Sequence, residues 1–169
     1  MNNYIIDTNV WMVASEEGDF SAETMDICRQ FLESIKQNSA AKVVMDQASF
    51  DTNVPGNSVY YELKRNLVEG SYAHDLFNKY ILNEFRFELI ELNYDSEGAV
   101  IPGGIQIFQR FAGGGVVPFE PNDRKWIALY LNCPSNPIFN ACDSDWENAR
   151  EDLIANKIRV HQLLTGNHI

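Results

Sequence analysis

The stretch Asn3-Tyr4-Ile5-Ile6-Asp7-Thr8-Asn9 decides how this chain folds. Residues 3–7 are a short apolar run ending in a polar cluster, the pattern of a buried strand with Asp7 at its C-terminal end. The pattern recurs. Lys42-Val43-Val44-Met45-Asp46 is a second such run closing on an acid, Phe87 to Leu92 a third strand, Pro137 to Asp143 a fourth that again ends on an acid, and Ile158 to Leu164 a last one.

Helical patterns separate these runs. Ser21 caps a helix over about 22–37, where Met25, Cys28, Phe31, Leu32 and Ile35 recur at spacings of three and four. After a loop at Pro55-Gly56-Asn57, helices are expected from about Ser58 to Glu69 and from Tyr72 to Phe85. Another runs from Glu120-Pro121-Asn122-Asp123 to about Leu131, with Pro121 in its first turn, and Ser144 can cap one over about 145–157. Strands alternating with helices argue for an α/β fold: one domain over residues 1–169 with a mostly parallel sheet covered on both faces. Residues 95–120, with Pro102-Gly103-Gly104 and Gly113-Gly114-Gly115, are the least regular part.

The composition suits a compact chain: 169 residues, 45% hydrophobic and 12% aromatic. No apolar run approaches the roughly 20 residues of a membrane span, and no secretory signal pattern opens the chain. Cys28, Cys133 and Cys142 show no metal-ligand spacing and read as buried, reduced thiols of a cytoplasmic protein. The net charge of −11 leaves no visible basic face for gripping nucleic acid by phosphate neutralisation alone. The acidic excess is either a solvated surface or a set of carboxylates that works with divalent cations.

Position separates those two readings. In open parallel sheets, ligands bind beyond the C-terminal strand ends, where Asp7, Asp46 and Asp143 lie. A lone acid there also serves as a turn former, and Thr8 and Asn9 can donate to the Asp7 carboxylate. Asp123 shares the azimuth of Trp126, Ile127 and Tyr130, a core-facing stripe on which an acid is costly unless paired or bound to a cation. On the same wheel Lys125 points away and Arg124 lies at the flank. Asp143-Ser144-Asp145 puts two carboxylates at a strand-to-helix junction, where Asp145 also suits the helix dipole. Glu62 falls on the flank of the stripe Val59, Leu63 and Leu67 and could pair with Asn66 or Lys64; Asp46 and Asp51 compete for its role.

Ile5-Ile6-Asp7-Thr8-Asn9-Val10, Tyr61-Glu62, Asp123-Arg124-Lys125-Trp126 and Asp143-Ser144-Asp145-Trp146 together resemble a PIN domain, with the acids in matching order along nearly the whole chain. The resemblance implies a three-layer α/β/α sandwich with a central parallel sheet of about five strands. It selects Asp7, Glu62, Asp123 and Asp143 as an acidic quartet, with Asp145 accessory to it. It further implies a Mg2+- or Mn2+-dependent ribonuclease, with DNA left open as substrate, and the toxin of a toxin–antitoxin pair as one form of the family. An antitoxin or other protein partner and a homodimer are compatible with it, whereas a membrane is not expected. The segment 95–120 is longer and richer in glycine than in smaller family members.

Phosphodiester hydrolysis fits such residues. One or two hard cations, about 3.5–4 Å apart if two, activate water and neutralise charge at phosphorus. Mg2+ prefers oxygen ligands, and no histidine or cysteine stands among the acids to suggest zinc. Asp7, Asp123 and Asp143 are the expected main ligands with Asp145 beside them, and Glu62 bridges or aligns the water. Thr8, Asn9 and Ser144 are expected to support them. Arg110 and Arg124 are the candidate nucleic-acid contacts, with Phe108 and Phe111 for stacking, although the glycine loop reads more readily as a flexible surface loop over a small apolar core segment. His74, His161 and His168 have no evident partners. The competing reading is a non-catalytic PIN-fold module that binds protein or RNA. A haloacid dehalogenase would want a second Asp two residues after Asp7, where Asn9 stands, and a receiver domain would want adjacent acids after its first strand.

Overall fold

The structure, a computed structural model, describes residues 2–15, 20–50, 54, 57–133 and 136–169. Asp51 and the Pro55-Gly56 part of the expected loop lie outside the described residues. In chain order the elements are β1 (Asn3–Ile6), α1 (Thr8–Ala14), α2 (Ala22–Gln37), β2 (Lys42–Asp46), α3 (Val59–Asn66), α4 (Tyr72–Leu76), β3 (Phe87–Ile90), β4 (Phe108–Arg110), β5 (Val116–Pro118), α5 (Arg124–Asn132), β6 (Ile138–Asn140), α6 (Ser144–Asn148), α7 (Arg150–Ala155) and β7 (Val160–Gln162).

Five strands form one sheet in the order β3-β2-β1-β6-β7, every pairing parallel, and helices flank it in a three-layer α/β/α sandwich. Helical crossovers are what let parallel strands follow one another in sequence. β1 sits at the centre, between β2 and β6, with Ile5 and Ile6 both buried. From β1 the chain first builds outward through β2 to β3, then returns to lay β6 and β7 on the other side. The order therefore reverses at the β1–β6 boundary, the place where open parallel sheets form a ligand-binding crevice beyond the strand ends.

α2 forms where expected. The Ser21 hydroxyl accepts from the Thr24 amide at 3.2 Å, and Cys28, Leu32 and Ile35 are its buried face. Its C-terminal end is tied down by the buried guanidinium of Arg86, which donates to the carbonyls of Ile35, Lys36, Asn38 and Ala41. The bonds to Ile35 and Lys36 satisfy carbonyls that the end of a helix otherwise leaves open, and those to Asn38 and Ala41 tie down the turn that follows.

Several elements are shorter than their patterns. α3 stops at Asn66, and α4 widens after Leu76 into a π-helical stretch, Phe77–Leu82. The helix expected over 145–157 is two, broken at Ala149. It is capped by Asp143, not Ser144: the Asp143 carboxylate accepts from the Asp145 amide at 2.9 Å. Residues 95–120 hold more order than expected. Pro102–Gly104 is a 3-10 turn whose Gly103 and Gly104 have φ of 76° and 68°, a region that disfavours side chains. β4 and β5 pair antiparallel around the Gly113–Gly115 tip. Of the cysteines, all free, only Cys28 is buried; Cys133 is half-buried and Cys142 exposed, because the strand before Cys142 ends at Asn140. Among the described residues no helix is long and apolar enough to cross a membrane.

Candidate metal centre

The crevice beyond β1 and β6 collects the acids. Asp7 follows β1 directly, and its backbone amide donates to the Phe139 carbonyl at 2.9 Å, locking it to the neighbouring strand. It caps α1: one carboxylate oxygen accepts from the Asn9 amide at 3.2 Å, the other from the Trp146 indole at 3.1 Å. Trp146 is fully buried on α6, with the Phe119 ring against it at 5.1 Å. The segment 95–120 thus ends by bracing the indole that holds Asp7.

Asp123 closes a 3-10 turn, Pro121–Asp123, that leads into α5. Asp143 and Asp145 open α6. One oxygen from each of these three carboxylates lies within 4.8 Å of the others. Glu62, in the first turn of α3, joins the group through charge rather than through a bond. Its field, and that of Asp123, act on Asp7; the fields of Glu62, Asp143 and Asp145 act on Asp123.

Burial and crowding show in the proton affinities. Asp7 is pushed up to about 8, chiefly by burial and then by Asp123, against the lowering effect of the Asn9 amide; Glu62 raises it further and the Trp146 indole lowers it. Asp123 is pushed up to about 7 by burial, with Lys125 lowering it and Glu62, Asp143 and Asp145 raising it. Asp143 is raised by burial, and Asp145 adds to that against the lowering effect of its own amide. Five acids drawn from four chain segments therefore repel one another in one place.

Lys125 corrects the helical-wheel expectation. It does not point to solvent: it is 1% exposed, and its ammonium lies 2.5 Å from Glu62 Oε2 while also donating to the Asn122 carbonyl. Glu62 pairs with it rather than with Asn66 or Lys64. α5 is buried at every position from Lys125 to Tyr130, so it has no wet face to receive a lysine. Ordinary amphipathic patterning has one dry stripe, which is why the wheel misplaced this side chain.

The supporting residues also differ from expectation. Thr8 is buried, yet its hydroxyl has no hydrogen-bond partner among the described residues and does not serve Asp7. The Asn9 side chain bonds to Asn140 and accepts from the Ala141 amide at 2.9 Å, fixing α1 to the end of β6. Trp146 was not singled out as a donor, although its place three residues after Asp143 was the available signal. Asp46 stays out of the site. It is fully buried and accepts from the Ser49 hydroxyl at 2.6 Å, the Val59 amide at 3.1 Å and the Tyr94 hydroxyl.

The two arginines are already committed. Arg110 pairs with Asp152 at 2.9 Å and Glu151 at 3.3 Å; Arg124 pairs with Glu97 at 3.3 Å and Asp95 at 3.9 Å. Arg124 also lines a cavity of about 380 Å³ with Asp95, Ile101, Ile105, Ile107 and Phe119, which Asp7, Glu62, Asp123, Asp143 and Asp145 do not line. The histidines do have partners. His74 accepts from the Gly70 amide, and the His161 and His168 rings meet at 3.0 Å between their Nδ1 atoms. No protein-family model, curated protein or solved structure matches this chain.

Proposed function

We propose that the chain is a Mg2+- or Mn2+-dependent nuclease of the PIN-domain type, most simply a ribonuclease. The observation that carries the reading is the convergence of Asp123, Asp143 and Asp145 within 4.8 Å, next to the buried Asp7, at the crevice of a parallel sheet. The donor set fits such an ion. All its atoms are carboxylate oxygens, which suit hard cations, and no sulfur or imidazole competes within the group. Burial first, and then like charges, push Asp7 and Asp123 toward their neutral forms, and a dication would relieve the repulsion.

Asp7, Asp123, Asp143 and Asp145 would hold the ion, which when bound supplies charge neutralisation at phosphorus and a more acidic water. The remaining work belongs to the chain. The Asn9 amide and the Trp146 indole fix the rotation of the Asp7 carboxylate. Glu62, held by Lys125 through one oxygen, would align the attacking water and accept its proton through the other. Because Arg110 and Arg124 are engaged in ion pairs, phosphate attraction in this reading comes from the centre itself. The same reading puts the chain in the cytoplasm, where RNA is at hand and an exposed thiol such as Cys142 stays reduced. An antitoxin belongs to the proposal only through the family resemblance.

The test is Asp7→Asn. Wild type should cleave RNA with Mn2+ and lose the activity in EDTA, and the variant should be inactive with unchanged circular dichroism. Mn2+-dependent cleavage retained by the variant would sink the assignment. Thermal stabilisation of wild type by Mn2+ without cleavage of RNA or DNA would favour the non-catalytic binding module.

A further inference from the structure

We infer that Lys125 is the second positive charge of this centre: it holds Glu62 where a second cation would need it, so the site takes one divalent ion rather than two. The inference rests on the metal reading above and concerns a positioning residue rather than one that touches substrate.

The geometry is specific. The Lys125 ammonium sits 2.5 Å from Glu62 Oε2, donates to the Asn122 carbonyl and lies 5.1 Å from the Trp126 ring centre. A lysine buried to this degree is costly unless its charge is compensated, and carboxylate, carbonyl and ring face together compensate it. Asp123, Asp143 and Asp145 already make one compact oxygen set. Two-metal centres instead place their ions about 3.5–4 Å apart and need carboxylates that reach both. Glu62, on α3, stands outside that set and reaches the neighbourhood of Asp123 through Lys125, whose ammonium bonds both Glu62 and the Asn122 carbonyl, so it is the acid left for a second position. Its Oε2 is bonded to Lys125, at a distance that leaves no room for a metal between them. Oε1 stays open among the described residues, so a second dication drawn to it would sit beside the ammonium and be repelled by its charge. The ammonium has the advantage of being covalently tethered, so its local concentration never falls.

The probe is Mn2+ alone, titrated into the full chain and followed by electron paramagnetic resonance, with no substrate present. Wild type should bind one Mn2+ with an uncoupled spectrum. Lys125→Met, which keeps the apolar stem and removes the charge, should bind two with an exchange-broadened spectrum. Glu62→Gln should still bind one ion with a loss of less than about tenfold, since Glu62 acts on the ion through its charge and is held by lysine. Two ions in wild type, or one in Lys125→Met, would overturn the inference while leaving the metal reading intact. So would a loss of about tenfold or more in Glu62→Gln, the scale expected when a residue that contacts or orients a metal ligand is removed. If Lys125→Met does not fold, the Glu62→Gln titration decides. No binding at all by wild type would overturn both the inference and the metal reading.

Discussion

Replacing Asp7 by asparagine should make the metal-free protein more stable at neutral pH. The folded state holds the Asp7 proton up to about pH 8, whereas the unfolded chain releases it near 3.8. Between those values unfolding releases a proton, so stability declines as pH rises, and the decline is complete only above pH 8. The interval from 3.8 to 7 spans about three pH units at ~1.4 kcal/mol each, a ceiling of ~4 kcal/mol at pH 7. Asp123 shares the same repulsion, so its own penalty cannot be added in full. The amide also presents a single oxygen, so the Asn9 amide or the Trp146 indole loses its acceptor at a cost of about 1 kcal/mol. The net expectation is a gain of roughly 2–3 kcal/mol at pH 7, or about 5–10 °C in Tm for a chain of this size. Near pH 4 the gain should vanish or become a small loss. Urea unfolding of both proteins in EDTA, from pH 5 to 8, measures it. A wild-type stability that is flat over that range, or an Asp7→Asn curve parallel to it, would refute the reasoning.

Two further outcomes follow from groups outside the acids. Tyr94→Phe removes a donor from the buried Asp46 carboxylate and should cost about 1–3 kcal/mol in chemical unfolding. Its Mn2+ affinity should equal that of wild type; a fall would mean that Asp46 belongs to the centre after all. Arg86→Met deprives the carbonyls of Ile35, Lys36, Asn38 and Ala41 of their shared donor and should cost about 3 kcal/mol by thermal unfolding. A change below about 0.5 kcal/mol would show that water replaces the guanidinium without penalty.

The residues that were legible in advance share a property: two independent local signals agreed at them. Ser21 and the stripe through Cys28, Leu32 and Ile35 both mark α2, and its bounds were read correctly. Asp7 and Asp143 were legible because an apolar run points at each of them. Glu62 was not: flank position left it level with Asp46, and only the resemblance preferred it. What decides between the two is that the Asp46 carboxylate is used up by Ser49, Val59 and Tyr94, the last of them 48 residues away in the chain. The cap of α6 is ambiguous in the sequence because Asp143 and Ser144 are adjacent and both cap well, so local preference does not choose the register. Lys125 and Trp146 were hidden for a different reason. Their partners, Glu62 and Asp7, are 63 and 139 residues distant, and no periodicity reports a contact of that range.

That separation has a consequence for how the protein comes into being. β1 is made early and its neighbour β6 late, so the crevice between them does not exist while the chain is being synthesised. A nascent chain that has not yet emerged to Trp146 carries Asp7 without its indole clamp and without the carboxylates that crowd it. Its early acids are then ordinary solvated groups with no cooperative hold on a cation. Closing so long a loop is entropically slow, and it rewards the chain only when β6 docks. The acidic cluster thus depends on residues far apart in the chain, and it exists only once β6 and α6 have docked beside β1.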